Sequence, residues 1–443
     1  MWHYKKILQA SSFTFDSYRV DPSCSTITFN YGVEFKSGRV RTYTDRLVLK
    51  DVPPGAWAKV PKAVLEPTLQ ALHLMIGINY WSVMPTNNIR IAGFKLTEEQ
   101  ARFWDALYLN GLGEFWYFNK IDFHNLIAFP YDNTTVAPAP TQFQLPERAL
   151  ILNGAGKDSI LSAEMLKASG TPYDYFAFAP SPAHERIAKL VGAKTITANS
   201  YRDWRKAWIT LALGLSTAYP AVSTFTFIAT LLAELLGYNS IILSNEGSAD
   251  FGNFTYLGLP VNHQWCKSSE AEQMINNYIQ RFITPDISSF SPLRKFSELE
   301  IVRQFVRYPQ YLHDFTSCNT YFWLPAIQQR LLRKNYWCKG CPKCVFLFAC
   351  FSAFLSKTKV VQMFGANLYT KKRLLPLFRQ ILGLEGFKPL DCVGEPEEMI
   401  LAMHYASKRK EFSGEPAMQV FEEHFPANYN FDKLSQKVFI KEQ

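Results

Sequence analysis

One segment, residues 149–168, constrains the fold of this chain more than any other feature. An apolar run predicts a buried strand over 149–153, and helical spacing of apolar residues predicts an amphipathic helix over 160–168. Small and polar residues connect the two: Asn153, Gly154, Ala155, Gly156, Lys157, Asp158 and Ser159. Backbone N–H groups in such a turn converge on an anion, and the helix directs its positive end to the same point. The segment therefore predicts a nucleotide phosphate site, with Lys157 balancing phosphate charge and Asp158 reaching a Mg²⁺ ion.

Strands and helices continue to alternate after this segment. We predict strands over 175–178, 194–197 and 240–243, and a helix over 183–191. This order predicts an α/β fold with a parallel, doubly wound sheet that carries helices on both faces. Ligands bind such sheets at the carboxyl ends of the strands, so we expect Phe178 and Asn245 to contact the nucleotide together with the turn.

The N-terminal part has a different pattern. Residues 13–49 alternate between apolar and polar side chains around a turn at Gly38, which predicts a small antiparallel sheet. Helical spacing follows over 63–77 and again after Thr97, where Thr97 and Gln100 have the spacing of a capping box.

A Pro-rich stretch over 130–146 indicates a domain boundary. A chain of 443 residues exceeds what one hydrophobic core usually organises. We predict an N-terminal α+β domain over 1–140 that contributes to substrate binding, a nucleotide-binding α/β domain over 147–290, and a helical region over 291–443.

Charge indicates an anionic partner, which could be a nucleic acid, a membrane surface or a nucleotide-like metabolite. The net charge is +9, but the basic residues are dispersed and are not interleaved with aromatic residues as in a nucleic-acid-binding surface. We therefore expect no nucleic acid partner. The pattern does not predict an oligomeric state.

Two segments of the sequence bear on where in the cell the protein is found. Residues 1–6 do not lead into the apolar core of a signal peptide, so we expect a cytoplasmic protein. The apolar stretch 207–236 is long enough to cross a membrane, but Pro220 divides it and Ser and Thr residues interrupt it. We therefore predict two buried helices and no integral membrane association.

Three of the eight cysteines form a compact pattern, Cys338, Cys341 and Cys344, and Cys318 is the nearest upstream candidate for a fourth ligand. Four thiolates satisfy a closed tetrahedral zinc site, and this spacing favours structural Zn²⁺. The alternative is that the cysteines are small apolar residues at the start of a buried helix over 345–355.

Further candidate site residues lie between 245 and 270. Glu246 and Asp250 are suited to hold Mg²⁺ or to act as a base, His263 titrates near neutrality, and Lys267 is suited to bind a phosphate or carboxylate. The alternative is structural: the carboxylates cap loops, and His263 is a hydrogen-bonded core histidine.

The turn resembles the SGGxDS motif of the PP-loop ATP pyrophosphatases, which split ATP between the α and β phosphates and transfer AMP to a substrate oxygen. Gly154 stands where that family has Ser, and Ala155 stands where it has the first Gly. The resemblance implies a PP-loop domain with the adenine nucleotide α-hydrolase-like fold. It also implies ATP and Mg²⁺ as ligands of the turn.

Four segments of the chain together resemble the UDP-N-acetyl-α-D-muramoyl-L-alanyl-L-glutamate epimerase family, MurL. They are the turn 153–159, the stretch 243–268, the cysteine run 337–344 and the late segment 388–395. The resemblance implies a cytoplasmic isomerase of peptidoglycan synthesis that inverts the terminal L-Glu of UDP-MurNAc-L-Ala-L-Glu. It implies an acyl-adenylate intermediate, with release of AMP and pyrophosphate.

Two alternatives remain open at the level of sequence. The first is a PP-loop enzyme that adenylates a nucleotide or tRNA. Another PP-loop family, the 7-cyano-7-deazaguanine synthases, has a similar arrangement of cysteines. The second is a non-catalytic nucleotide-binding protein, because the turn lacks the Ser and one Gly typical of PP-loops. Ala155 also adds a methyl group where backbone approaches phosphate.

Overall fold

The computed structural model describes residues 10–216, 218–324, 328–329 and 336–439. The segment 1–6, which we examined for a signal peptide, lies outside the described residues. Eleven strands are present in the described chain: β1 (Ala10–Asp21), β2 (Thr26–Phe35), β3 (Val40–Leu49), β4 (Ile89–Ile91), β5 (Ala149–Leu152), β6 (Tyr173–Phe178), β7 (Thr195–Arg202), β8 (Ser240–Ile242), β9 (Phe254–Tyr256), β10 (Leu259–Val261) and β11 (Ser288–Phe290).

The helices of the described residues fall into two groups. Those before the C-terminal region are α1 (Lys62–Trp81), α2 (Glu98–Gly111), α3 (Gly113–Asn119), α4 (Lys157–Ser169), α5 (Pro182–Val191), α6 (Trp204–Ala212), α7 (Ala221–Leu236) and α8 (Ser269–Phe282). Those of the C-terminal region are α9 (Glu298–Phe305), α10 (Asn319–Trp323), α11 (Pro342–Phe354), α12 (Lys357–Phe364), α13 (Leu375–Ile381), α14 (Pro396–Lys408), α15 (Pro416–His424) and α16 (Phe431–Phe439).

Nine of the strands form one large sheet in the order β11, β8, β5, β6, β7, β3, β2, β1, β4. The first five are parallel to one another, as the alternation of strands and helices predicts. Strands β9 and β10 form a separate antiparallel pair. The mixed α/β class with a mostly parallel sheet and a helical C-terminal region is confirmed.

The N-terminal strands do not form a small sheet of their own, which corrects the sequence prediction. Strand β3 pairs antiparallel with β7, with Leu49 opposite Ala198 and Asp45 opposite Arg202. The strand predicted over 194–197 extends to Arg202. Residues 199–202 are polar, so their composition does not indicate a strand, but their backbone supplies the edge to which β3 is added.

Two hydrophobic cores cover opposite faces of the sheet. Along β5, Leu150 packs into one core, whereas Ala149 and Ile151 pack into the other. The first core contains α1, α7 and α8, and the second contains α4, α5 and the C-terminal helices. Alternation along a strand therefore directs neighbouring side chains to different layers, as expected for a sheet covered on both faces.

Only one of the two helices predicted in the stretch 207–236 is buried. Helix α7 is buried along most of its length, whereas α6 has no buried residue. Trp204, Trp208 and Leu211 of α6 are 70%, 67% and 81% exposed. Arg205 binds Asp203 and the Thr42 carbonyl, which holds the start of α6 along the surface. Among the described residues, no helix is long and apolar enough to cross a membrane.

The local N-terminal predictions are confirmed. Thr97 and Gln100 form the reciprocal capping box at the start of α2. Gly38, with φ of +76°, makes the turn between β2 and β3. Left-handed backbone of this kind favours glycine, which explains the position of the hairpin turn.

Candidate functional site

A cavity of about 250 Å³ lies where the carboxyl ends of β5, β6 and β8 meet the C-terminal region. The residues that line it come from the ends of these strands, from the loops and helices that follow them and from the helical region. They include Asn153, Gly154, Gly156, Asp158, Ser159, Phe178, His184, Ser244, Asn245, Glu246, Lys267, Ser317, Asn319, Lys343 and Cys392. One side is apolar, where the rings of Phe178 and Phe225 lie 5.1 Å apart. Such a cavity suits a ligand with both a flat apolar part and charged groups.

The turn after β5 presents its backbone to this cavity. The Asn153 side-chain oxygen accepts the Ala155 N–H at 2.8 Å, which fixes the turn. Ala155 adopts φ of +56°, and its side chain is buried in the second core. A Cβ on Gly154 would meet no atom within 4 Å. The methyl group of Ala155 therefore points into the core and leaves the cavity open, which removes the steric part of the argument for a non-catalytic protein.

Lys157 lies beneath the turn rather than in the cavity wall. Its ammonium group is fully buried, pairs with Glu298 and lies 2.5 Å from Asp158 Oδ1. Burial opposes both charges, but the pairing holds the pKa of Lys157 above its ordinary value and lowers the pKa of Glu298 to about 2. Lys157 thus contacts the Asp158 carboxylate from the protein interior, on the side away from the cavity.

Lys343 takes the place in the wall that the sequence suggested for Lys157. Its Nζ lies 2.5 Å from Glu298 Oε1, so Glu298 bridges two buried lysines. The carboxylate raises the pKa of Lys343 despite burial, so the ammonium group stays charged. Lys343 and Lys267 together place two positive charges at the cavity.

Several buried polar atoms at the cavity have no hydrogen-bond partner among the described residues. They are Ser244 Oγ, Asn245 Nδ2, Glu246 Oε1 and Ser317 Oγ. Leaving such atoms unpaired costs about 1 to 3 kcal/mol each. A polar ligand that enters the cavity satisfies them, and the carboxylates of Asp158 and Glu246 are the oxygen donors that Mg²⁺ prefers.

Asp250 is not brought to the cavity. Its carboxylate accepts hydrogen bonds from the backbone N–H and the hydroxyl group of Ser269, at 2.6 and 2.9 Å. It therefore holds the first turn of α8 and lies among exposed residues. The carboxylate partner of Asp158 at the cavity is Glu246.

His263 and Lys267 converge on Cys392. Lys267 Nζ lies 3.5 Å from Cys392 Sγ. A ring nitrogen of His263 lies within 4.8 Å of Cys392 Sγ, and His263 Nδ1 lies 2.5 Å from Glu114 Oε2. Although burial opposes protonation, these partners raise the pKa of His263 to about 10. A raised pKa favours the protonated ring at neutral pH. Cys392 lines the cavity, whereas His263 does not.

The four cysteines of the sequence pattern form one cluster. Their Sγ atoms, those of Cys318, Cys338, Cys341 and Cys344, all lie within 4.8 Å of one another. Cys338 Sγ and Cys344 Sγ are 3.6 Å apart. Four sulfurs around Zn²⁺ lie about 3.8 Å apart in a tetrahedron with bonds of about 2.3 Å, so the cluster fits that ion.

The cluster adjoins the turn. The Thr316 N–H donates to the Ala155 carbonyl at 3.1 Å, and the Cys338 N–H donates to Cys318 Sγ at 3.3 Å. Ser317, which lines the cavity, lies between Thr316 and Cys318. The position of the cysteine cluster therefore determines where Ser317 faces the turn.

The residues at the site that were not singled out from the sequence include Lys343, Cys392 and Glu114. Lys343 lies inside the cysteine run, and Cys392 lies inside the segment 388–395, so the resemblance contained both positions. Glu114 lies on α3 within a run of aromatic residues and has no motif around it.

Comparisons with known proteins cover almost the whole chain. A model of the MurL N-terminal domain matches residues 5–292, and a model of the MurL C-terminal domain matches residues 314–436. Three curated relatives are named UDP-N-acetyl-alpha-D-muramoyl-L-alanyl-L-glutamate epimerase. All three are isomerases by that name.

The relative from Xanthomonas oryzae pv. oryzae is 30% identical over 413 residues, which cover 93% of this chain and 89% of the relative. The relatives from a Micromonospora species and from Salinispora tropica are each 29% identical, over 95% and 94% of this chain and over 92% and 89% of their own lengths. Matches of this extent include both the sheet and the C-terminal region that form the cavity. The chain belongs to the MurL epimerase family.

Proposed function

We propose that this protein inverts the terminal L-Glu of UDP-MurNAc-L-Ala-L-Glu to D-Glu, as a cytoplasmic step of peptidoglycan precursor synthesis. The family match supports the reaction and substrate. The observation that carries the proposal is the cavity, in which an open backbone turn, two lysines and two carboxylates face one another.

The same cavity supports ATP as co-substrate, in the manner of a PP-loop enzyme. The turn at Gly154 offers backbone donors to phosphate, and Lys267 and Lys343 balance its charge. The apolar side around Phe178 and Phe225 suits an adenine ring. Mg²⁺, when bound, would be held by Asp158 and Glu246 and would screen the triphosphate charge.

The chemistry requires activation because a free carboxylate disfavours a carbanion beside it. The α-carboxylate oxygen of the substrate attacks the α-phosphorus of ATP, and pyrophosphate leaves. The resulting acyl-adenylate has lost the carboxylate charge, so its α-carbon can lose a proton and regain one on the opposite face. Water then attacks the acyl carbon, and AMP leaves with the bridging oxygen.

We also propose that Cys318, Cys338, Cys341 and Cys344 hold a structural zinc ion. The convergence of all four sulfurs supports this assignment. A closed site of four protein ligands has no open position for substrate, so its role is to fix the loop that carries Ser317.

The proposed function is tested by incubating the protein with Mg-ATP and UDP-MurNAc-L-Ala-L-Glu in deuterated water. We expect AMP, pyrophosphate and a D-Glu product with deuterium at the α-carbon. Asp158→Asn should abolish pyrophosphate release, because it removes a carboxylate that faces the cavity. Asp250→Asn is the matched control and should retain release, since that carboxylate binds Ser269 instead. ADP as the product, or inversion without ATP, would contradict the proposal.

A further inference from the structure

The thiol of Cys392 lies in the cavity wall with an arrangement of charged groups behind it. Glu114 contacts His263, a ring nitrogen of His263 lies within 4.8 Å of Cys392 Sγ, and Lys267 Nζ approaches the sulfur to 3.5 Å. The Cys392 backbone N–H donates to Asp391 Oδ1 at 2.8 Å, which fixes the residue. A nucleophile or base that is oriented by a second group, itself oriented by a third, is the usual arrangement of an activated side chain.

These groups come from separate parts of the chain. Glu114 lies on α3, His263 and Lys267 follow β10, and Cys392 precedes α14. The cavity that Cys392 faces also contains Glu246, whose Oε1 is buried without a partner among the described residues. The thiol therefore faces a space that is built for a polar ligand.

We propose that Cys392, as a thiolate, is one of the two groups that exchange the α-proton of the activated glutamate. The inference rests on the proposed function, because it places the acyl-adenylate in the same cavity. The thiolate takes the proton from one face, the C–H electron pair moves into the acyl carbonyl, and the thiol forms. His263 and Glu114 are positioning residues that keep a positive charge beside the sulfur.

The charges that face Cys392 favour this role. Burial opposes ionisation, yet the nearby Lys267 and His263 lower the pKa of Cys392 to about 7. Lys343 adds a third positive charge. One negative group is also close: a carboxylate oxygen of Asp391 lies within 4.8 Å of Cys392 Sγ, and Asp391 Oδ1 accepts the Cys392 backbone N–H. A base with a pKa near the working pH transfers protons most effectively.

The test compares Cys392→Ser and Cys392→Ala with the unchanged protein. A serine hydroxyl does not ionise near neutral pH, so α-deuterium incorporation should fall by about a hundredfold or more. Pyrophosphate release in a single turnover should continue, because the phosphate turn is unchanged. Cys24→Ser, which alters an exposed cysteine of the β1–β2 hairpin, is the matched control and should retain deuterium incorporation.

Two further readouts separate the outcomes. Iodoacetamide should modify Cys392 of the unchanged protein near neutral pH, and substrate with ATP should protect it. Full deuterium incorporation in the Cys392 variants would overturn the proposal while leaving the adenylating function intact.

A covalent acyl adduct on Cys392, seen in the intact mass after acid quench, would assign the thiolate as a nucleophile and would also overturn the proposal. Absence of pyrophosphate release from the unchanged protein would instead contradict the proposed function.

Discussion

Lys157 and Glu298 form a buried ion pair that joins the helix after the phosphate turn to the first helix of the C-terminal region. Glu298 also binds Lys343, so one carboxylate links the support of the turn to a lysine of the cavity wall. The pair is removed from solvent on both sides. It therefore fixes the relative position of the two parts of the chain that form the cavity.

Lys157→Ala should destabilise the protein as well as inactivate it. Removal of the ammonium group leaves the buried Glu298 with less compensating charge, and breaking such a pair typically costs about 3 to 5 kcal/mol. Chemical unfolding monitored by circular dichroism measures this loss. Lys167→Ala, at an exposed position of the same helix, is the control. Equal stability of both variants would show that Lys157 serves phosphate binding alone.

Gly154→Ala should weaken ATP binding without affecting the fold. The added methyl group meets no protein atom within 4 Å and points into open space, so only a ligand at the turn would contact it. We expect an ATP dissociation constant at least about tenfold higher by calorimetry, which corresponds to about 1.4 kcal/mol. The unfolding midpoint should stay unchanged. Unaltered ATP affinity would mean that phosphate does not approach Gly154.

Glu114→Gln should shift the pH dependence of inversion upward. Glu114 helps to keep His263 protonated, and that cation lowers the pKa of Cys392. The thiolate is present above the pKa of Cys392, so raising this pKa moves the increase in rate to higher pH, by about one pH unit. Glu98→Gln removes an exposed carboxylate of the neighbouring helix and should leave the profile in place. If the pH profile of Glu114→Gln is not shifted, the charge of His263 does not influence the reacting thiol.

Zinc removal should loosen the C-terminal region and the cavity together. We expect about one zinc ion per chain in protein purified without added metal, and its loss in Cys341→Ser. Structural zinc contributes about 10 kcal/mol or more of apparent binding free energy in zinc-finger peptides, so the melting temperature should fall. Pyrophosphate release should fall as well, because Thr316 ties the cluster to the turn. If the unchanged protein contains no metal and Cys341→Ser has the same melting temperature, the cysteines are only core residues.

Local sequence pattern is sufficient for the part of the site that one segment forms. The order of apolar strand, small turn and helix predicted that Gly154, Asp158 and Ser159 lie at the end of β5, and they line the cavity there. The parallel strands and the capping box of α2 follow from similarly local patterns. Such features depend on residues within a few positions of one another.

The remaining features depend on contacts between distant segments. The sequence pattern does not show that Lys157 turns toward Glu298, 141 residues away, or that β3 pairs with the polar end of β7. Glu114 and His263 are likewise 149 residues apart. The exposed face of α6 could not be anticipated, because apolar composition does not reveal which helix the sheet covers.

The central claim is that the substrate carboxylate is joined to AMP before inversion. It is tested most directly with UDP-MurNAc-L-Ala-L-Glu that carries oxygen-18 in its α-carboxylate. Attack of that carboxylate on ATP, followed by hydrolysis at the acyl carbon, transfers one labelled oxygen to AMP. Mass spectrometry should therefore find AMP with one heavy oxygen atom in proportion to the D-Glu product. Unlabelled AMP, formed while D-Glu accumulates, would contradict the account.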